Sequence, residues 1–325
     1  MQNNKVTIIM YHFVRDLIHS RYPEIKGLDT SLFREQIEYL KKHYNFITME
    51  MLIDSIDNNV SLPEKAVLLT FDDAYIDHFT CVYPILNEHK IQGSFFPSVK
   101  AIKENVLLDV NKIHFILASE KDKSIIISEI RNELLKYKDE YNLKDFDYYY
   151  SKLAKAYSYD TAEVIFIKRL LQVELDESLR TIITTSLFKK IVGIDEKSFS
   201  KELYMNVDQI KCMHRNGMHI GNHGYDHYWL NSLSKKKQRE EIIKSNAFLK
   251  EIGVDLNNWT MCYPYGRYNE SMIEVLKEFN CKLALTVNVA VAQLNNKNRF
   301  ELPRLDTNDI PTNKNAKTNK WYKEA

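Results

Sequence analysis

The sequence predicts an α/β protein with parallel strands, and three observations carry that prediction. The apolar run at 66–71 shows no polar/apolar alternation, which suits a strand covered on both faces, and 5–10 and 93–97 read as further strands. Amphipathic helical segments fall between these runs, giving the strand, helix, strand order of a parallel sheet. Residues with chemical capability, such as Asp72, Asp73 and His12, follow the runs directly. In parallel α/β architectures that end of a strand bears the loops that carry ligands and catalytic groups.

The elements follow in order. Residues 5–10 form a first buried strand that delivers Tyr11, His12 and Phe13 to the same rim as the aspartates. A helix over 31–43 places Leu32, Phe33, Ile37 and Leu40 on one face, with Asp29, Thr30 and Ser31 as caps. Phe46 and Ile47 suggest a short strand, and Thr48 a cap for a helix over 51–56. After the 66–71 strand, 75–88 reads as a helix that Pro84 bends or interrupts. Residues 104–205 break the rhythm: they contain one glycine, Gly193, and helical periodicity at Ile125, Ile126, Ile130 and Leu134 and again at Val164, Ile167, Leu170 and Leu171. We read them as a helical insertion, with Tyr148, Tyr149 and Tyr150 as ordinary packing on an amphipathic helix. Alternation resumes at 217–221, followed by a helix that Ser232 or Ser234 caps and Gly253 ends. Short strands at 261–263 and 282–287 flank a helix over 269–279, and 301–306 is the last ordered stretch. The lysine-rich residues 311–325 are expected to be disordered.

Composition narrows the function. With 325 residues and 44% hydrophobic content the chain can bury a sizeable core. A formal charge of +1 gives no reason to invoke nucleic acid or an anionic membrane. The four cysteines are widely spaced, without a C-x-x-C pair, and are read as free thiols. The apolar run near the N-terminus is too short for a secretory signal core, and no run approaches a membrane span. The expected location is therefore the cytoplasm.

His223 and His227 are four residues apart, so one helical turn would set both imidazoles on one face. With Asp73 they make a His, His, carboxylate set. Three protein ligands leave a coordination position open, the layout of a catalytic zinc site. Neighbouring carboxylates on an extended chain point to different sides, so Asp72 is free for another task. A divalent metal lowers the pKa of bound water from 15.7 to around 7, and Asp72 is placed to take its proton as it attacks a carbonyl carbon. A backbone N–H in the Pro264-Tyr265 turn can stabilise the resulting oxyanion.

The stretches Thr70-Phe-Asp-Asp-Ala74, His223-Gly-Tyr-Asp-His227 and Tyr263-Pro-Tyr-Gly266, in this order, resemble the first three signature motifs of the NodB-like polysaccharide deacetylases, carbohydrate esterase family 4. The opening Ile9-Met-Tyr-His-Phe-Val14 resembles the start of one branch of that family. The resemblance covers roughly 1–103 and 206–310. It implies a distorted (β/α)7 barrel spanning 1–310, interrupted by the 104–205 insertion, that removes acetyl groups from an N-acetylated sugar, polysaccharide or glycan precursor with a divalent metal, commonly Zn2+. By position it makes Asp72 the general base, Asp73, His223 and His227 the metal ligands, and Tyr265 the residue whose backbone N–H faces the oxyanion. Three departures stand out. Ala74 replaces the usual glycine, which costs little unless φ there is positive. Cys262 replaces the arginine that orients the base, and the usual general-acid histidine has no counterpart after Leu283-Ala-Leu-Thr-Val287. Arg304 is the candidate for the arginine and His12 for the acid.

Two other functions compete. A catalytically silent glycan-binding barrel would account for the missing arginine and acid, but needs no water-activating set. A two-carboxylate glycosidase needs carboxyl groups about 5 to 10 Å apart across a cleft, which sequence neighbours such as Asp72 and Asp73 do not readily provide.

Overall fold

The computed structural model describes residues 4–156 and 160–325. The expectation about the first ten residues therefore falls partly, at 1–3, outside the described residues. The chain divides into two compact units. The first comprises Met1–Asp16, Gly27–Asn105 and Lys201–Ala325, and the second Leu17–Lys26 and Val106–Ser200.

The first unit is a ring of short parallel strands. We label them β1 (Lys5–Tyr11), β2 (Ala66–Asp72), β3 (Gly93–Phe96), β4 (His219–Ile220), β5 (Met261–Cys262), β6 (Ala284–Leu285) and β7 (Leu305–Asp306). β1 pairs with β2, β2 with β3, β3 with β4, β5 with β6, and β7 with β1, all parallel. Single parallel bridges, Asn222 to Met261 and Leu285 to Leu302, join the remaining neighbours and complete the circuit. The distortion lies in β4 to β7, each of two residues, and in the single bridges. Successive strand residues fall into separate cores, which explains the missing alternation. Ile8, Leu68, Phe96, Cys262 and Leu285 belong to one cluster. Ile9, Leu69, Phe71 and Phe95 belong to another, with the helix residues Phe33, Ile37, Leu40, Ile85 and Leu86.

The helices start where capping chemistry predicts. Asp29 accepts from the Ser31 N–H before the Thr30–His43 helix, and Thr48 accepts from Met51 before Met49–Asn58. Ser234, not Ser232, caps Lys235–Ile252, which Gly253 ends in the left-handed region. The segment after Tyr75 is irregular as Pro84 requires: a π-helical turn, His78–Val82, precedes a short helix, Tyr83–Glu88.

In the second unit the described regular elements are helices, including Asp109–Ser119, Lys123–Lys136, Phe146–Leu153, Ala162–Arg169 and Glu177–Leu187. Their periodic residues Ile113, Ile116, Ile126, Ile130, Phe166, Ile167, Leu179 and Ile183 are fully buried. Tyr149 is buried and Tyr148 half exposed, as residues of a packed amphipathic helix. The unit boundaries differ slightly from the expected 104–205, and a short segment at 17–26 joins it. No helix among the described residues is long and apolar enough to cross a membrane.

The C-terminal residues differ from the expectation of disorder. A short helix, Lys320–Glu324, is capped by Asn319, and Trp321 is buried with its Nε1–H donating to Asp309 at 3.2 Å. Lys65 donates to the Tyr322 carbonyl at 2.7 Å and lies over the Tyr322 ring. Lysine content dominated the compositional reading, whereas the two aromatic residues decide the packing.

Candidate active site

Strand parity sorts the two aspartates. Asp72 ends β2 in step with Leu68 and Thr70, and so shares their face of the strand. Asp73 turns the other way, with a left-handed φ of 73° followed by 58° at Ala74. The usual glycine is therefore missing where it matters, and a left-handed alanine costs roughly 1 to 2 kcal/mol. Both carboxylates are buried.

Asp73 meets the two histidines. His223 Nε2 lies 3.4 Å and His227 Nε2 3.1 Å from Asp73 Oδ1. Asp73 Oδ2 accepts from the Tyr75 hydroxyl at 2.8 Å. Oδ1, although buried, has no hydrogen-bond partner among the described residues, an unusual state for a buried carboxylate oxygen. His223 Nδ1–H donates to the Cys262 carbonyl at 2.7 Å, which holds the ring with Nε2 toward Asp73. Burial alone would raise the Asp73 carboxyl, but the facing imidazoles of His227 and His223 hold it well below the usual carboxylate range. Two imidazole nitrogens and one carboxylate oxygen, all within 4.8 Å of one another and all buried, are a donor set that fits zinc.

The two histidines do not lie on a helical turn, which corrects the sequence expectation. Residues 223–228 belong to no helix or strand. Left-handed backbone at Gly224 (φ 74°) and His227 (φ 60°) folds the loop back, so that the ring centroids come within 4.9 Å.

Asp72 is held by Arg304. The fully buried guanidinium donates to both carboxylate oxygens, Nη1 to Oδ1 at 3.0 Å and Nη2 to Oδ2 at 2.8 Å. The remaining donors are also used, Nη1 to Thr70 Oγ1 at 3.0 Å and Nε to the Thr286 carbonyl at 2.8 Å. Burial pushes the Asp72 carboxyl up, but the guanidinium outweighs it and brings the carboxyl to about 2. Cys262 Sγ lies 3.3 Å from Asp72 Oδ2.

His12 Nε2 is 4.0 Å from Asp72 Oδ2, with its side chain 43% exposed. Its backbone is anchored by buried His78, which donates through Nε2 to the His12 carbonyl at 2.8 Å. Burial brings the His78 imidazole down to about 4, so it is neutral near pH 7. Tyr265 sits at φ 55° in the Pro264–Gly266 turn, its ring centroid 4.7 Å from that of His227. Gly266 (φ 64°) is required in this turn, because a Cβ there would lie 2.4 Å from Val287. All seven residues named from sequence thus meet at one end of the barrel. Thr70, Tyr75 and His78 were missed. The first two flank or follow the aspartates and were read as strand and helix positions.

Asp73, Ala74, His227 and Tyr265 are non-glycine residues with left-handed backbone. Such strain clusters where function over-determines the conformation.

The polysaccharide deacetylase family profile matches residues 59–284, well over half of the chain, and the chain belongs to this family. Among curated proteins, the poly-beta-1,6-N-acetyl-D-glucosamine N-deacetylase of Escherichia coli K12 is 35% identical over 86 residues, covering 26% of this chain and 12% of that protein. Among solved structures, the Streptococcus pyogenes deacetylase PplD superposes with a TM-score of 0.57 at 19% identity, covering 95% of this chain and 93% of the other. IcaB from Ammonifex degensii gives 0.56 at 18% identity, over 94% and 93%. These structural likenesses are likenesses of fold, and they place the barrel in the NodB-like class.

Proposed function

We propose that the protein is a metal-dependent N-deacetylase of an N-acetylated sugar polymer or glycan precursor. The observation that carries the reading is the division of labour between neighbouring carboxylates: Asp73 faces two imidazoles with an unsatisfied oxygen, while Asp72 is clamped in its charged form by Arg304. Asp73, His223 and His227 would hold a divalent cation, Zn2+ by the nature of the donors. When bound, it supplies a Lewis acid that acidifies water and polarises the acetamide carbonyl.

The protein residues supply the rest. Asp72 accepts the proton of the attacking water, and Arg304 keeps that carboxylate oriented and ionised. The Tyr265 N–H, in a turn beside His227, donates to the oxyanion that develops on the former carbonyl oxygen. His12 protonates the leaving nitrogen, which as an amide anion would be a very poor leaving group. The contact of Arg304 with both Asp72 oxygens supports this reading over a silent glycan-binding barrel, which the missing third-motif arginine had favoured. The name of the Escherichia coli relative makes β-1,6-linked N-acetylglucosamine oligomers the first substrate to try.

The test is acetate release from a panel of N-acetylated oligosaccharides, with and without chelator, alongside elemental analysis. Wild-type protein should carry close to one equivalent of a divalent metal and lose acetate release with chelator. Asp72→Asn should keep the metal and lose on the order of a hundredfold or more in turnover, whereas Asp73→Asn should lose metal as well. Stoichiometric metal in the His223→Ala, His227→Ala double variant would place the site elsewhere.

A further inference from the structure

We infer that Glu241, a buried carboxylate on the Lys235–Ile252 helix, is a positioning residue that sets the path of the loop between the two imidazole donors. This rests on the metal-site reading above. The Tyr225 and Asp226 N–H groups, which lie between His223 and His227, both donate to Glu241 Oε2, at 2.9 and 3.0 Å. Ser245, one helical turn further on, and Asn246 continue the same rack. Asn222 donates through Nδ2 to Ser245 Oγ at 2.8 Å and to Asn246 Oδ1 at 2.9 Å, and accepts from the Gly224 N–H at 2.8 Å.

With left-handed backbone at Gly224 and His227 the loop cannot build a helical hydrogen-bond ladder, so its inward N–H groups need acceptors from elsewhere. On the other side the Lys100 N–H donates to the Tyr225 carbonyl at 2.9 Å, Lys100 Nζ pairs with Asp226 at 2.5 Å, and the Tyr225 hydroxyl donates to Glu104 at 2.8 Å. The loop is therefore gripped between two elements, and Glu241 supplies the acceptor for two consecutive N–H groups. Metal sites require donor placement to within about 0.2 Å, so a loop released at its centre loses its imidazole geometry. Burial, reinforced by the Asp226 carboxylate, pushes the Glu241 carboxyl up to about 7.

The experiment measures Zn2+ affinity by competition with a chelating dye, for wild type and for Glu241→Gln, Glu241→Asp and Glu241→Ala, with thermal unfolding of each metal-free protein. Glutamine keeps an acceptor oxygen at the same reach, and its affinity should stay within about threefold of wild type. Aspartate keeps the charge but falls short by one C–C bond, about 1.5 Å. It and alanine should bind roughly 10- to 100-fold more weakly, as loss of an outer-shell partner does. If alanine does not fold, the glutamine and aspartate pair decides. The inference is overturned if all variants bind like wild type, or if aspartate binds like wild type while glutamine does not, which would make Glu241 a charge and not an anchor. A drop in unfolding temperature with unchanged Zn2+ affinity also overturns it. Wild-type protein that takes up no Zn2+ would instead sink the metal site itself, and this inference with it.

Discussion

Replacing Arg304 by methionine tests the site and the fold at once. The substitution removes four hydrogen bonds, two to Asp72 and one each to Thr70 and the Thr286 carbonyl, and leaves a carboxylate that is 2% exposed without its cation. Removing one partner of a buried ion pair costs about 3 to 5 kcal/mol, chiefly because the other charge stays buried. Asp72→Asn should recover part of that loss. The assay is urea unfolding of metal-free wild type, both single variants and the double variant. The coupling between the two sites should exceed roughly 1 kcal/mol, well outside the additivity of independent positions. The pH dependence adds a sign. In wild type the Asp72 carboxyl lies near 2 instead of 3.8, so it contributes about 2 kcal/mol of stability above pH 4, lost as the pH falls toward 2. Without Arg304, burial dominates and raises the carboxyl, so its contribution should instead fall as the pH rises through the new value. A loss below about 1 kcal/mol with additive single variants would refute the claim that this pair organises the site.

Two further outcomes follow from placement. His12→Ala should lower turnover on acetamides far more than on an activated acetyl ester, whose leaving group needs no proton; equal losses would mean that His12 only orders the rim. Trp321→Ala, which empties a site holding a 9% exposed indole, should cost roughly 3 kcal/mol or more in urea unfolding, whereas a disordered tail would show no change.

Much of this was legible in sequence because it depends on local chemistry. The apolar runs before Asp72 and His12 marked both the strands and the end of the barrel at which these side chains gather. Periodicity marked the helical unit, and Asp29, Thr48 and Ser234 marked helix starts. What stayed illegible depends on backbone excursions or distant packing. Nothing in His223-Gly-Tyr-Asp-His227 distinguishes a helical turn from a loop with two left-handed residues, because both bring the imidazoles together. The cost of Ala74 depends on a φ of 58° that alanine does not announce. The tail was misjudged for the same reason: Trp321 and Tyr322 find partners in Asp309 and Lys65, which are far away or unremarkable in sequence.

The arginine shows most clearly what motif reading leaves out. A motif places a residue type at a position in the chain, but Asp72 needs a guanidinium at a position in space. The barrel ring brings β7 beside β1, and β1 beside β2, so Arg304, just before β7, enters the strand neighbourhood of Asp72 from the other side. Its partner atoms Thr70 Oγ1 and the Thr286 carbonyl fix two of its three nitrogens from positions outside the third motif. Cys262 then has no guanidinium to carry, and its small side chain sits against the carboxylate, 3.3 Å from Asp72 Oδ2. A full arginine at 262 would compete with Arg304 for the same two oxygens in a space that is already buried. The exchange is therefore reciprocal: Arg304→Met alone should strip the buried Asp72 carboxylate of its cation, and Cys262→Arg alone should overcrowd the same space, each read as a loss of stability in urea unfolding.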